Sequence, residues 1–175
     1  MMSDILTQIK ISSTIGSEVI SVQDVKDFVR IDTSADDTLI SRMITTAREW
    51  AENYMTRDIV SKSRIYYLPN VDDRFLLPFA PITSISQVTV DGTVTTDYQL
   101  FGLNEQVVLL NSLPSKEVKV TYVTTGLPDE SIKQALLQLV ASYYDNRSNF
   151  VVGESVNEIP TGTKTILTSF KTMFI

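Results

Sequence analysis

Asp36-Asp37-Thr38-Leu39-Ile40-Ser41-Arg42-Met43-Ile44-Thr45-Thr46-Ala47-Arg48-Glu49-Trp50-Ala51-Glu52-Asn53-Tyr54-Met55-Thr56 is the most regular stretch of the chain. With side chains set at ~100° intervals, Leu39, Ile40, Met43, Ile44, Ala47, Trp50, Ala51, Tyr54 and Met55 share one arc of roughly 160°, and Arg42, Thr45, Arg48, Glu49 and Glu52 stand opposite. That is a long amphipathic helix with one buried face. Ser34, three residues before Asp37, reads as its cap, and Asp36 and Asp37 fall in the first turn, where the helix dipole favours negative charge. Trp50 lies inside the apolar arc and reads as core rather than as an interface anchor.

Working back, Ser21 and Asp24 have capping-box spacing, and Val22, Val25, Phe28 and Val29 form the stripe of a short helix ending near Arg30. Ile31 to Ser34 is a polar break. Met1 to Lys10 contains Asp4 and no uninterrupted apolar run behind a basic start, so no signal peptide is expected. No window approaches the ~18 apolar residues of a membrane span.

Working forward, the period changes to two after Arg57, in a region rich in Val, Ile, Thr and Tyr and punctuated by Pro69, Pro78, Pro81, Gly92, Gly102, Pro114 and Gly126. This predicts an antiparallel lobe with strands at Ile59 to Leu68, Phe75 to Leu77, Tyr98 to Phe101, Gln106 to Leu110 and Val118 to Thr124. Its clearest local signal is Val88 to Thr95, where Asp91-Gly92 supplies the positive φ angles of a two-residue hairpin turn. A last helix follows Pro128, with Asp129 and Glu130 at its N-terminus, and runs to about Asn146. Its apolar arc is nearer ~200°. Either that face is buried between the first helices and the lobe, or part of it, at Leu137, Ala141, Tyr144 and Arg147, meets another subunit. Beyond it the tail shows no useful period, yet keeps Val151, Val152, Ile159, Ile166, Leu167, Phe170, Met173, Phe174 and Ile175. Either it packs back on its own domain or it is an arm ordered by a partner.

The expected fold class is therefore α+β: a small helical core of two N-terminal helices plus one C-terminal helix, an inserted antiparallel β lobe and an extended C-terminal arm. One domain spans 1–175, with an N-terminal extension at 1–20, helices at 21–57, the lobe at 58–127, a helix at 128–148 and the arm at 149–175.

Composition excludes most chemistry. The chain has 175 residues, no Cys and no His, which removes thiolates, disulfides, imidazole bases and the zinc or haem sites that depend on them. Fifteen Lys and Arg against twenty-one Asp and Glu give a formal charge of −6, opposite to the footprint of a dedicated nucleic-acid binder. Without His, a nucleophilic Ser would need a Lys base, and no Ser-x-x-Lys opens a helix. Thr161-Gly162-Thr163-Lys164-Thr165 lacks the first Gly of a phosphate loop. Asn146-Arg147-Ser148 has the form of a glycosylation sequon and reads as a polar helix terminus. The acid pairs Asp36-Asp37 and Asp72-Asp73 read as a helix start and a loop between strands. A metal-dependent enzyme would need several such acids to converge, and a generic nucleic-acid-binding module should show salt-dependent DNA binding. No cofactor and no catalytic residue is expected.

Five pieces in order carry a resemblance to the head–tail connector (adaptor, head completion) family of tailed bacteriophages. Glu18 to Asp32 resembles its opening helix, with Val29 in place of the usual Leu before Arg30-Ile31-Asp32. Asp36-Asp37 through Arg57 is similar to its long helix, and Leu77-Pro78 with Pro81-Ile82 and Ser84-Ile85 to its Leu-Pro, Pro-Val and Ser-Ile segment. Val120 to Gly126, then Pro128 and Ile132 to Ala135, looks like its last strand and helix, which closes on Tyr143-Tyr144-Asp145-Asn146-Arg147, close to the family's Tyr-x-x-Arg. A looser fit follows at Ile159-Pro160, Leu167 and Phe170-Lys171, where Phe-Lys stands for Tyr-Arg and Thr161 to Thr165 departs. Residues before Glu18 lie outside the resemblance.

The resemblance implies a structural virion protein at the head–tail junction, assembled in the host cytoplasm as a ring, typically a dodecamer. Its partners would be further copies of itself, the portal protein and a downstream neck, stopper or tail protein, with no membrane. DNA would pass without specific binding, and an acidic lining would repel its phosphates. In the tail, Glu154 and Glu158 precede a basic half. Pro160, Lys164, Ile166, Leu167, Phe170, Lys171, Met173 and Phe174 are then expected to form a portal-docking arm, with Phe170, Met173 and Phe174 in pockets and the lysines on an acidic rim.

Overall fold

The computed structural model describes residues 7–102, 106–109, 116–147, 150–151, 154–155 and 160–171. In chain order its elements are β1 (Gln8–Thr14), α1 (Val22–Val29), α2 (Asp37–Met55), β2 (Lys62–Val71), β3 (Arg74–Leu76), β4 (Ile82–Val90), β5 (Thr93–Thr95), β6 (Tyr98–Phe101), β7 (Gln106–Leu109), β8 (Lys116–Thr124), α3 (Glu130–Asp145), β9 (Phe150–Val151), β10 (Glu154–Ser155) and α4 (Thr161–Ser169). The class is α+β, as the change of period at Arg57 implies. Two compact units result: one from the segments through Gly16 and Val60–Gly126, the other from Ser17–Ile59 and Leu127 onward.

In the helical unit, α1 starts as its spacing predicts. Ser21 N–H donates to the Asp24 carboxylate at 2.7 Å, and Asp24 N–H donates to Ser21 Oγ at 3.1 Å. These bonds hold the Asp24 carboxyl below the usual carboxylate range. Arg30 and Thr56, at φ 59° and 54°, end α1 and α2 in the left-handed region. The expected Ser34 cap is not formed. Ala35 and Asp36 make a turn, the N-cap is Asp36 without a side-chain bond to the helix's own N–H groups, and Ser34 contributes its carbonyl, to Asp37 N–H at 3.3 Å. For α3, Asp129 accepts from Ser131 N–H at 2.7 Å. The core joins Val25 of α1, Ile40, Met43, Ile44, Ala47, Ala51 and Met55 of α2, six residues of α3 and Leu167 of α4. Trp50 packs partly buried against this core, its ring stacked on Tyr54 with centroids 5.1 Å apart.

The polar side of α2 is not all solvated, because chain segments fold over it. Arg48 is 5% exposed and Glu52 1%. Arg48 Nε donates to Glu18 at 2.8 Å and its Nη1 to Glu52 at 2.8 Å, while the other Glu52 oxygen accepts Ile59 N–H at 2.9 Å. Leu127 N–H then donates to Ile59 O at 2.8 Å. Burial works against the Arg48 charge, but Glu18 and Glu52 outweigh it and push its pKa above the ordinary arginine value. The guanidinium therefore stays charged inside the fold.

The β unit holds a five-stranded sheet of order β1-β2-β8-β4-β5, every neighbouring pair antiparallel, and a second sheet of order β3-β7-β6. Alternation in β8 buries Val118, Val120, Tyr122 and Thr124, of which the first three join Val71, Phe75, Leu77, Ala80, Ile82, Val88, Val107 and Leu109 in an apolar cluster. The buried polar atoms have partners here: Tyr122 Oη donates to Pro78 O at 2.7 Å, and Thr124 Oγ1 accepts from Lys62 N–H at 3.1 Å. Asp91 and Gly92 take φ 48° and 78°, as the hairpin reading requires. That turn is fixed to β8 by Asp91 N–H on Glu117 O at 2.9 Å and Glu117 N–H on the Asp91 carboxylate at 3.1 Å.

Two segments differ from expectation. The N-terminal extension, where no strand is expected, carries β1, which pairs antiparallel with β2, Gln8 opposite Tyr67 and Ile11 opposite Arg64. The extended arm is, from Thr161 to Ser169, the helix α4, because Thr163, Ile166, Leu167 and Phe170 recur at helical spacing and pack inward.

Replacing Arg48 by Ala leaves the buried Glu52 with one of its hydrogen-bond partners gone. The variant is expected to lose about 3–5 kcal/mol in chemical denaturation, whereas Arg42→Ala, on the exposed side of the same helix, should stay within about 0.5 kcal/mol of wild type.

Candidate interaction surfaces

One site is organised by the start of α2. The Asp36 carboxylate accepts from Tyr144 Oη at 2.6 Å and from Arg147 Nη1 at 3.2 Å, and the guanidinium lies 4.5 Å from the Tyr144 ring centroid. The neighbouring Asp37 pairs with Lys26 of α1 at 3.1 Å. The acid pair is thus divided: one carboxylate ties α2 to α3 and the other ties α2 to α1. The Tyr-Arg ending of α3 and the Asp36-Asp37 start of α2, read separately in the sequence, meet in space. The role of Asp36 as the shared acceptor has no signal in one sequence, since it depends on where α3 ends. Asp73 of the other acid pair faces its neighbour Arg74 at 3.2 Å. Among the described residues no group of three or more acids converges to hold a metal ion.

The four positions expected at a subunit interface differ in their surroundings, and Arg147 lies two residues beyond the end of α3. Leu137 and Tyr144 are partly buried against the helical core, Ala141 is half-buried, and Arg147 is exposed. Leu137 also lines an open groove between α1 and α3 with Val19 and Phe28, whose charged residues are Asp24, Asp27, Glu130 and Lys133. Phe28, placed in the apolar stripe of α1, is 42% exposed.

The C-terminal positions divide into two groups. Leu167 is fully buried, and Ile166 and Phe170 pack against the same core, so these three anchor α4 to its own chain rather than waiting for a partner. Thr163 Oγ1 donates to Gln138 Oε1 at 3.2 Å, and Thr168 Oγ1 and Tyr54 Oη lie 2.8 Å apart. Lys164 and Lys171 are exposed, Lys171 Nζ standing 5.0 Å from the Tyr54 ring centroid, and Pro160 is half-buried. Met173 and Phe174 lie outside the described residues. No helix among the described residues is long and apolar enough to cross a membrane.

A family model described as head completion protein matches residues 18–173. Among solved structures, the chain is similar to a chain of the neck of an empty gene transfer agent (GTA) particle computed with C6 symmetry: TM-score 0.75, 17% identity, covering 96% of this chain and 97% of that one. A chain of the virion of a native GTA particle matches at TM-score 0.72 and 15% identity over 95% and 96% of the two chains. A third, from the neck of a native GTA particle computed with C12 symmetry, matches at 0.66 and 14% over 96% and 97%. At these identities the likeness is one of fold. A comparison with curated proteins gives no significant match.

Leu167→Ala should cost about 2–5 kcal/mol, read as a lowered urea midpoint. The Asp36 bond, helped by partial burial and opposed by Arg147, raises the Tyr144 pKa above the ordinary value. The stability it contributes is therefore fully present below the unfolded tyrosine pKa of about 10 and is lost as pH rises through the higher folded value. In a spectrophotometric titration, Tyr144→Phe should remove one phenol from the late-ionising group that Tyr66 and Tyr67 also join, and Asp36→Asn should move the Tyr144 phenol out of that group.

Proposed function

This chain belongs to the head completion protein family and is a structural head–tail connector, and from that premise we propose that it acts as one ring-forming adaptor docked between portal and tail. The observation that carries the reading is the family match over residues 18–173. The full-length likeness in fold to chains of GTA necks, themselves computed with C6 and C12 symmetry, supports a ring, and we take twelve copies as its size. The ring assembles in the host cytoplasm, with portal on one side and a neck, stopper or tail protein on the other.

Within the ring, DNA passes without being gripped. The acids are concentrated in the helical unit, where Ser17–Ile59 and Leu127–Ile175 hold nine Lys and Arg against fourteen Asp and Glu, while the β unit is balanced. A surface of that sign repels phosphate rather than releasing its counterions. Leu137, Ala141, Tyr144 and Arg147 form the helical unit's share of the contact between copies, with Asp36 holding Tyr144 and Arg147 in place. The portal contact is made by the exposed basic side of α4, Lys164 and Lys171, with Pro160, Met173 and Phe174, while Ile166, Leu167 and Phe170 hold the helix to its own core.

Native mass spectrometry of the chain with and without portal tests this. Rings with portal are expected, and a chain that stays monomeric in both would overturn the reading. Lys164→Glu combined with Lys171→Glu should weaken portal capture at least tenfold while leaving the melting temperature of the free chain unchanged. Undiminished capture would place the portal contact elsewhere.

A further inference from the structure

A ring needs two unlike surfaces on each copy, one for each neighbour, and the five-stranded sheet carries two unlike open edges. Among the described residues β1 pairs only with β2, and β5 only with β4. Each outer strand therefore presents a row of main-chain N–H and C=O groups with no strand beside it. We propose that β5 of one copy pairs with β1 of the next, so that the sheet continues from copy to copy around the ring; this rests on the ring reading above and gives it a second, β-unit contact.

Strand direction decides the kind of contact. All four pairings in the sheet are antiparallel, so with an odd number of strands β1 and β5 run the same way. Rotation about a ring axis preserves that direction, and β5 meets the neighbouring β1 in parallel. A two-fold dimer would instead set β1 against β1. The register supplies the side chains. One row, Ile9, Tyr66, Val120, Val88 and Thr95, crosses the sheet from edge to edge. At its β1 end Ile9 and Ile11 are 38% and 47% exposed, large apolar groups at a rim with nothing beyond them in the sheet. At the other end stand the β-branched Thr93 and Thr95, the residue type that packs well across strands. The contact would be short: a bulge between Ile11 and Ser13 interrupts β1 after the regular run Gln8–Ile11, and β5 offers the three residues Thr93–Thr95.

Charge favours another copy as the occupant of these edges. In a chain of formal charge −6 copies repel wherever acids face acids, and neither β1 nor β5 contains Asp or Glu. The groove between α1 and α3 differs: Asp24, Asp27 and Glu130 line it against the single cation Lys133.

The chain has no Cys, so engineered cysteines report on this contact alone. Ile9 and Thr95 of one copy are separated by four strand spacings, ~19 Å, beyond the ~7 Å Cα separation that a disulfide can bridge. Ile9→Cys/Thr95→Cys, and Ile11→Cys/Thr95→Cys for the register two residues away, are oxidised with portal present, after circular dichroism has shown them folded. The expected result is a covalent ladder up to ring size from at least one double variant, and monomer from each single variant. A dimer from Ile9→Cys or Ile11→Cys alone would reveal a β1–β1 contact and overturn the proposal. Rings seen by native mass spectrometry in the reduced double variants, with no ladder on oxidation in either register, would overturn it and leave the ring reading standing. Absence of any ring from wild type would overturn both.

Discussion

Arg48 is the constraint on which the rest of the helical unit depends. A buried guanidinium tolerates its desolvation only where carboxylates meet it in good geometry, and here Glu18 and Glu52 do so at 2.8 Å each. These partners do more than neutralise a charge. Glu18 lies in the segment that enters the helical unit, and Glu52 holds Ile59, where the chain leaves it. Ile59 in turn receives Leu127, where the chain comes back. Three crossings of the backbone are thus referred to one turn of α2. An apolar residue at position 48 would fill the volume but could not fix all three.

This explains what was legible in the sequence and what was not. The apolar arc of α2, the capping box at Ser21 and the Asp91-Gly92 turn are local patterns, and local patterns survive into the structure nearly residue for residue. Arg48 and Glu52 sat correctly on the polar side of the helix, yet that side is covered by segments far away in the chain, which no periodicity can announce. The β1 strand had its signal in the alternation of Ile9 and Ile11. It is weak because an edge strand with seven exposed residues needs no continuous apolar face. For α4 the spacing of Thr163, Ile166, Leu167 and Phe170 is helical, but Gly162 and the run of threonines have poor helix propensity. Packing against the core supplies what propensity lacks.

The surfaces show the same division. The Tyr-Arg ending of α3 and the acids at the start of α2 were both visible as pieces of a family pattern, and only the fold shows that they form a single contact. That contact fastens three helices through adjacent carboxylates, Asp36 to α3 and Asp37 to α1. It gives Asp36, Tyr144 and Arg147 a structural role within the chain, apart from any partner they meet. Of the apolar tail residues, Ile166, Leu167 and Phe170 are occupied by their own chain.

The return of the chain at Leu127 beside Ile59, N–H to O at 2.8 Å, has a consequence for how such a fold can change. The long excursion between α2 and α3 begins and ends at nearly one point, so its length and content are geometrically uncoupled from the helices that bracket it. A lobe of another size could be grafted onto those two ends without resetting the helical core. The N-terminal strand limits this freedom. β1 is supplied from outside the excursion and pairs with β2 inside it, so a replacement lobe must either offer that strand a matching edge or lose it.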